Sequence, residues 1–285
     1  MFLQNLVNGI LIGGMYGLAA CGLSLIFGVM NIVNFAHGEF LMLAMYITYF
    51  ATTYLGIDPL LSILISIPIM VLFGLFIERV LIARIINSSN MAQIFLTVGL
   101  GMVLTNLALV TIGGNYLSTT VAYASESFKL GNLMFAKANV LTFVITIATF
   151  GLVSLLLRYT LIGKAIRSVS QDRNTAQLMG VNTKVLYSVA FGLGMVMVAI
   201  SGSLLSIMYP VSPTIGSHFV VLCFVVVVLG GMGSLPGALI GGMIVGVFEA
   251  MCGYYVSIGW KDAVPFLILI ILLIVRPQGI FGDRT

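Results

Sequence analysis

Long stretches of this chain carry no charge. None of Asp, Glu, Lys or Arg occurs before Glu39, between Arg84 and Glu126, or between Lys184 and Glu249. Each gap exceeds the roughly 20 apolar residues that a helix needs to cross a bilayer. Backbone groups in hydrocarbon must be satisfied within the fold, so spanning segments are helices or strands of closed barrels. Barrel strands alternate apolar and polar residues, whereas these runs are continuously apolar, so helices are expected. Hydrophobic residues fill 60% of the 285 positions and charged residues 7%, against about 25% charged in a soluble domain. The surface is built for lipid, and a soluble enzyme is excluded.

Apolar runs between polar breaks give candidate spans near 5–30, 40–57, 60–77, 91–113, 138–157, 185–208, 218–232, 238–257 and 262–275. The run 218–232 is short, and 262–275 needs its flanks to reach a full span. Either could be re-entrant. The expectation is an all-α integral membrane protein, a polytopic bundle of eight or nine transmembrane helices with re-entrant or broken segments. Residues 1–285 form one domain, with no stretch long and polar enough for a second, soluble one.

Basic residues set the orientation. Arg79 and Arg84 share a loop, five more lie between Arg158 and Lys184, and Arg276 and Arg284 lie in the tail; Lys129, Lys137 and Lys261 fall on the other side. By the positive-inside rule the richer side is cytoplasmic. The segment 114–137 and the Asp58-Pro59 turn are then external. The N-terminus is external with nine spans, and internal if an early segment is re-entrant. The net charge of +4 belongs to these topology signals; no aromatic-basic stripe accompanies it, so nucleic acid is not an expected partner.

Leu18-Ala19-Ala20-Cys21 resembles a lipoprotein cleavage box. Such a box needs a basic segment upstream, which is missing here, so the first segment is expected to stay as a helix. Cys21, Cys223 and Cys252 all lie in apolar runs, without metal-ligand spacing, and read as packed thiols.

Two polar, glycine-bearing breaks interrupt the apolar pattern: Asn31 to Glu39, and Gly230 to Gly237. Interrupted segments in corresponding positions of two halves point to a transport site. Tight cytoplasmic turns are the competing explanation. Gly9, Gly13 and Gly17, and again Gly233, Gly237 and Gly241, recur at spacing four, a helix-packing signal.

No catalytic constellation or metal set appears, and His37 and His218 stand far apart in the sequence. There is no Gly-x4-Gly-Lys-Ser/Thr loop for ATP. Glu249 stands alone in an apolar run, as a pathway residue or as a packing carboxylate bonded to nearby hydroxyls. Glu39 is a pathway residue or a helix-end residue. The segment Gly163–Asn182 reads as a short helix, with Asn174 and Gln177 resembling a capping box, Gly180 at the stop, and Ala176 with Met179 or Gly180 on one face. It is either a docking knob or an interfacial helix.

Four segments together resemble one family: Leu23 to Phe40, Gly163 to Asn182, Leu229 to Ala238, and Arg276-Pro277-Gln278-Gly279-Ile280-Phe281-Gly282. They are similar to the permeases of branched-chain amino-acid ABC importers, the LivH type, and the resemblance covers essentially the whole chain. It implies a non-catalytic subunit of the bacterial inner membrane, without cofactor or metal, importing leucine, isoleucine and valine. The implied partners are a second homologous permease, two cytoplasmic ATPase subunits and a periplasmic solute-binding protein. The loop near 158–184 looks like this family's ATPase-docking loop, with Arg167, Asp172, Ala176 and Gly180 as its contact residues. Ala176 and Gly180 keep an Ala-x3-Gly core; Gln171-Asp172 followed by basic Arg173 departs from the usual acidic lead. The expected substrate route is lined by Asn31, Asn34, Phe35, His37, Glu39, Gly230, Gly233, Ser234 and Glu249, with the two breaks meeting inside the membrane. Rival readings are a proton-coupled secondary transporter using Glu39 or Glu249, and an ABC permease for urea, amides or other amino acids. A stand-alone carrier has no need of a docking loop.

Overall fold

The computed structural model describes residues 2–119, 121–124, 126–130, 133–276 and 278–282. Pro277 and Arg284 therefore lie outside the described residues. In chain order the elements are α1 (Phe2–Met30), α2 (His37–Leu55), α3 (Pro59–Ile77), a π turn (Glu78–Ile82), α4 (Ala83–Ile85) and α5 (Asn90–Thr111). A hairpin of β1 (Ser127–Leu130) and β2 (Leu133–Ala136) leads into α6 (Lys137–Tyr159). Then come α7 (Leu161–Gln171), α8 (Arg173–Leu178), α9 (Thr183–Leu205), α10 (Ile215–Gly230), α11 (Leu235–Tyr255) and α12 (Val264–Val275).

Local chemistry explains the boundaries. Asp58 Oδ1 accepts the Leu60 N–H and Pro59 opens α3, while Ser89 and Asn182 cap α5 and α9. Gly56 ends α2 in the left-handed region at φ 65°, and Asn31, at φ 54°, ends α1 in the same way.

The architecture is a helical membrane bundle with one short β-hairpin at its edge. Among the described residues, six helices are long and apolar enough to span on their own: α1, α3–α4, α5, α6, α9 and α11. The other three apolar helices differ. α10 has 16 residues, α12 has 12, and α2 opens with His37 and Glu39. α1 and α9 form the centre, with 83% and 78% of their apolar windows buried, against 28%, 28% and 22% for α3–α4, α5 and α6. The outer three turn large side chains such as Leu64, Phe95 and Leu152 outward, which suits lipid.

α1 and α11 run antiparallel with their backbones in contact. A Cβ on Gly9, Gly13 or Gly17 would strike Val247, Gly242 or Leu239. The glycine spacing is thus a close-packing device. On α11 the residues facing α1 are Gly242 and Gly246, while Gly237 and Gly241 face α10.

Contacts sort the loops into two ends. Arg173 Nη1 donates to Asn87 Oδ1 at 2.8 Å, and the α10–α11 turn holds the tail through Ile280 N–H to Leu229 O and Phe281 N–H to Gly230 O. These loops carry the basic residues. At the opposite end Tyr123 bonds Asp58, Gln4 bonds the Met134 backbone, and Leu117 pairs with Val211. The N-terminus therefore lies at the end opposite the basic loops.

Candidate functional site

Two re-entrant arms define the centre of the molecule. After α1 ends at Met30, the segment Asn31–Ala36, left-handed at Asn31 and turning again at Phe35–Ala36, climbs back beside its own helix. His37 Nε2 reaches the Ala19 carbonyl at 2.9 Å, about 16 Å above the Met30 end at 1.5 Å per residue. α2 thus starts near the middle of a hydrocarbon layer roughly 30 Å thick. On the other side α9 ends at Leu205, and the segment Ser206–Thr214 descends to the start of α10. The two helices meet start to start: a Cβ on Gly38 would land on the Gly216 carbonyl, and one on Gly216 would sit 3.0 Å from Glu39 Cα. Neither helix has a side-chain cap.

The partner of the first break is therefore Ser206–Thr214, whose first residues fall within the expected span 185–208. Its signal was present in Pro210, Ser212 and Pro213 between two apolar runs. Gly230–Gly237 is instead a tight turn between α10 and α11 at the basic end. Its glycines serve backbone packing. A Cβ on Gly230 would strike Gly237, Gly231 takes φ 98° against Gly282, and Gly233 takes φ 86° against Gly28. The Gly28–Gly233 approach does bring the two named breaks together, at their outer edges.

That contact forms one wall of a cleft of about 1030 Å³ opening at the basic end, which Asn31, Gln93, Arg167, Met232, Gly233 and Ser234 help to line. A second space of about 280 Å³ continues inward past Asn31, Gln93 and Met232 to Val33 and Ile94. Only Asn31, Gly233 and Ser234 of the expected route residues line this cleft. Asn34 is buried and its Oδ1 accepts the Ala36 N–H, just ahead of α2, at 3.1 Å. Phe35 stacks on Phe224 at 4.7 Å, away from Met232. His37 is fully buried. Glu39 lies deeper than the cleft, beside Gly101 of α5. Glu249 stands near the opposite end, against Tyr16 and Tyr209, and takes no part in this cleft.

The two buried carboxylates are treated differently. Glu78, in the π turn, accepts the Ser188 hydroxyl at 2.7 Å. Glu39 is 6% exposed, and its Oε2 has no hydrogen-bond partner.

At the basic end the expected single helix is two. α7 ends at Gln171, and Asp172, extended at φ −150°, starts α8. The expected capping box is not formed. Asp172 itself accepts the Asn174 and Thr175 N–H groups and the Thr175 hydroxyl, and Gln177 instead donates to Thr183. The Thr175 hydroxyl holds the Asp172 carboxyl below its ordinary value. Asp172 is thus a cap, and Arg173 is engaged by Asn87 and by the Tyr187 ring at 5.5 Å. Ala176 is buried within the chain. Gly180 stands in open space at φ 84°, a backbone demand. Arg167 is exposed and reaches the Arg158 carbonyl. The outward tip is Leu178 and Met179, 87% and 81% exposed. The sequence offered them as two large apolar residues in a polar, basic loop.

Among the described residues no group of His, Cys, Asp or Glu could hold a metal. The three thiols are free, with Cys21 and Cys223 buried.

Comparison with known proteins agrees with this architecture. A LivH permease of a high-affinity branched-chain amino acid transport system from Salmonella typhimurium is 34% identical, over 99% of this chain and 96% of its own length. The BraD permease of Pseudomonas aeruginosa is 32% identical over the same shares. A probable LivH permease of Methanocaldococcus jannaschii is 27% identical over 97% of this chain and 91% of its own. The family described as "Branched-chain amino acid transport system / permease component" matches residues 5–273, and this chain belongs to that family.

Proposed function

We propose that this chain is the membrane-spanning subunit of a bacterial inner-membrane importer for leucine, isoleucine and valine, driven by ATP hydrolysed on partner chains. The basic end is cytoplasmic, in keeping with the positive-inside rule. A second, homologous permease stands beside it, two ATPase subunits dock below, and a periplasmic binding protein delivers cargo above. The observation that carries this reading is the α7–α8 elbow. It is rigidly capped by Thr160 and Asp172 and presents Leu178 and Met179 to water at the cytoplasmic end. Two large apolar side chains held out by a fixed elbow suit a partner's groove. Cargo leaves through the cleft between Asn31, Gln93 and Ser234, and alternating access closes and opens it at the arms.

The test is co-purification in mild detergent together with leucine uptake into proteoliposomes containing ATP. Wild-type complex takes up leucine. Leu178→Glu with Met179→Glu leaves the chain folded and inserted but strips the ATPase subunits and abolishes uptake. A double variant that keeps its ATPases in wild-type proportion sinks the docking assignment.

A further inference from the structure

Ionisable side chains from three elements stand at one depth on the far side of the molecule from the cleft. At 1.5 Å per residue, His218 lies about 18 Å above the cytoplasmic end of α10 at Gly230. Glu249 lies about 21 Å above the start of α11 at Leu235. Asp262, in the short turn Ile258–Ala263, lies about 20 Å above the end of α12 at Val275, and the tail beyond α12 is bonded to the α10–α11 turn. The charges of Lys261 and Asp262 reach both His218 and Glu249, so the four groups form one cluster. A hydrocarbon layer about 30 Å thick puts that cluster roughly 10 Å inside its outer edge.

Glu249 lies against Tyr16 and Tyr209, but much of the rest looks outward. Thr214, Ser217, His218 and Val221 are spaced i, i+3, i+4 and i+7. All four are exposed, and Asp262 is exposed above α12. Among the described residues no ion pair joins Lys261 or Asp262. Lipid does not suit this surface, because ionisable groups at depth face protein or water. Water does not suit it either. Val221 continues the stripe as an apolar residue, and α12, packed on α10, turns out Phe266, Ile270 and Ile274 below the charges. The outward sides of α3, α5 and α6 differ, presenting large apolar residues such as Leu64, Phe95 and Leu152. A surface that is polar above and apolar below suits a protein of matching pattern.

The charges indicate which protein. Lys261 and Asp262 are adjacent and opposite in sign. Rotation about a twofold axis lays such a patch cation on anion and anion on cation, as in isologous contacts. Resting on the importer reading, we propose that the second permease subunit packs on the face formed by Thr214–Val221 of α10 and by Lys261–Ile274, across an approximate twofold axis that sets Lys261 and Asp262 against opposite charges. The importer reading requires a second permease; it does not say which face of this chain that subunit takes.

The experiment places the photo-reactive residue benzoylphenylalanine at Ser217, or at Phe95 on α5 as the lipid-side reference, in the full complex in its membrane. Both positions are exposed, so neither probe disturbs packing within the chain. On illumination the Ser217 probe is expected to give about fivefold more adduct with a permease subunit than the Phe95 probe. Adducts of the Ser217 probe with lipid alone, or equal yields at the two positions, overturn the assignment of the face. Asp262→Lys sets like charges against each other and is expected to lower the co-purifying second permease about tenfold, with the melting temperature of the chain in detergent unchanged. A wild-type amount of second permease overturns the charge pairing and the axis with it. A lowered melting temperature overturns it in favour of a role for Asp262 within the chain. Failure of the wild-type complex to import leucine would instead count against the importer reading itself.

Discussion

The inner arm, Asn31–Ala36, and the outer arm, Ser206–Thr214, have the same topology and opposite fastening. The outer arm is held by backbone: Leu117 and Val211 exchange two N–H···O bonds at 2.9 and 2.7 Å. Tyr209 adds a hydroxyl contact to Tyr16 at 2.5 Å, and Pro210 and Pro213 restrict the chain further. The inner arm is tied to α5 by one side chain. Thr97 Oγ1 stands 3.3 Å from Val33 O, yet also 3.0 Å from Gln93 O and 3.1 Å from Ile94 O. A hydroxyl has one proton to donate, so the bond to the arm is the weakest of three competitors. Across to the neighbouring segment, the outer arm is tied by paired backbone bonds and the inner arm by a single shared hydroxyl proton. The cleft opens at the end that carries the inner arm, and the looser tie to α5 makes that arm the easier one to move.

The point where both arms deliver their helices gives the largest expected effect. Gly38→Leu drives a side chain into the Gly216 carbonyl and the Val220 amide. Overpacking of this kind costs roughly 1–3 kcal/mol or more, so the melting temperature in detergent falls and uptake is lost; an unchanged melting curve would break the claim that the helix starts touch. Next comes the outer seal. Val211→Pro removes the N–H bonded to the half-buried Leu117 O, at about 0.5–1.5 kcal/mol for the lost bond. A cysteine placed at buried Thr119 should then react with an impermeant thiol reagent added outside. Tyr209→Phe deletes the hydroxyl pair alone, worth about 0.5–1.5 kcal/mol. Thr97→Val should be smallest in stability, below about 0.5 kcal/mol, because the proton has nearer acceptors. Should thermal unfolding show Thr97→Val to be costlier than Tyr209→Phe, the ranking of the two arms is reversed.

The helices were legible in the sequence because continuous apolar runs leave few other choices. The run 91–113 became Asn90–Thr111, and 138–157 became Lys137–Tyr159. Depth was not legible. Ser206–Thr214 has the prolines and hydroxyls of any surface turn, and only the helices that cover it place it inside the membrane. Gly230–Gly237 misled for the converse reason. Glycine reports that backbones come close, not what they come close to, and here they meet the tail and α1. Within the docking loop, Ala176 and Gly180 stood out because they are small. One is small because it is buried, the other because its backbone is left-handed. The apolar tip at Leu178 and Met179 followed from solvent exposure, which one-dimensional spacing does not carry. The loneliness of the Glu39 carboxylate, likewise, emerges only once every neighbour is known.

The meeting of Gly38 with Gly216 also sets an order of biogenesis. The first turn of α2 carries a carboxylate and lies against α10, which is synthesised about 180 residues later. At about 5–20 residues per second, that interval is roughly 10–35 s. Until then α2 has no mate for its deep end, whereas α1 and α3–α4 on either side have the length and apolarity to enter lipid unaided. α2, buried against α9 and α10 in the finished molecule, is thus among the last to settle. During synthesis it must wait at the edge of the insertion machinery, and a nascent chain arrested before α10 should expose residues 37–39 that the finished protein hides.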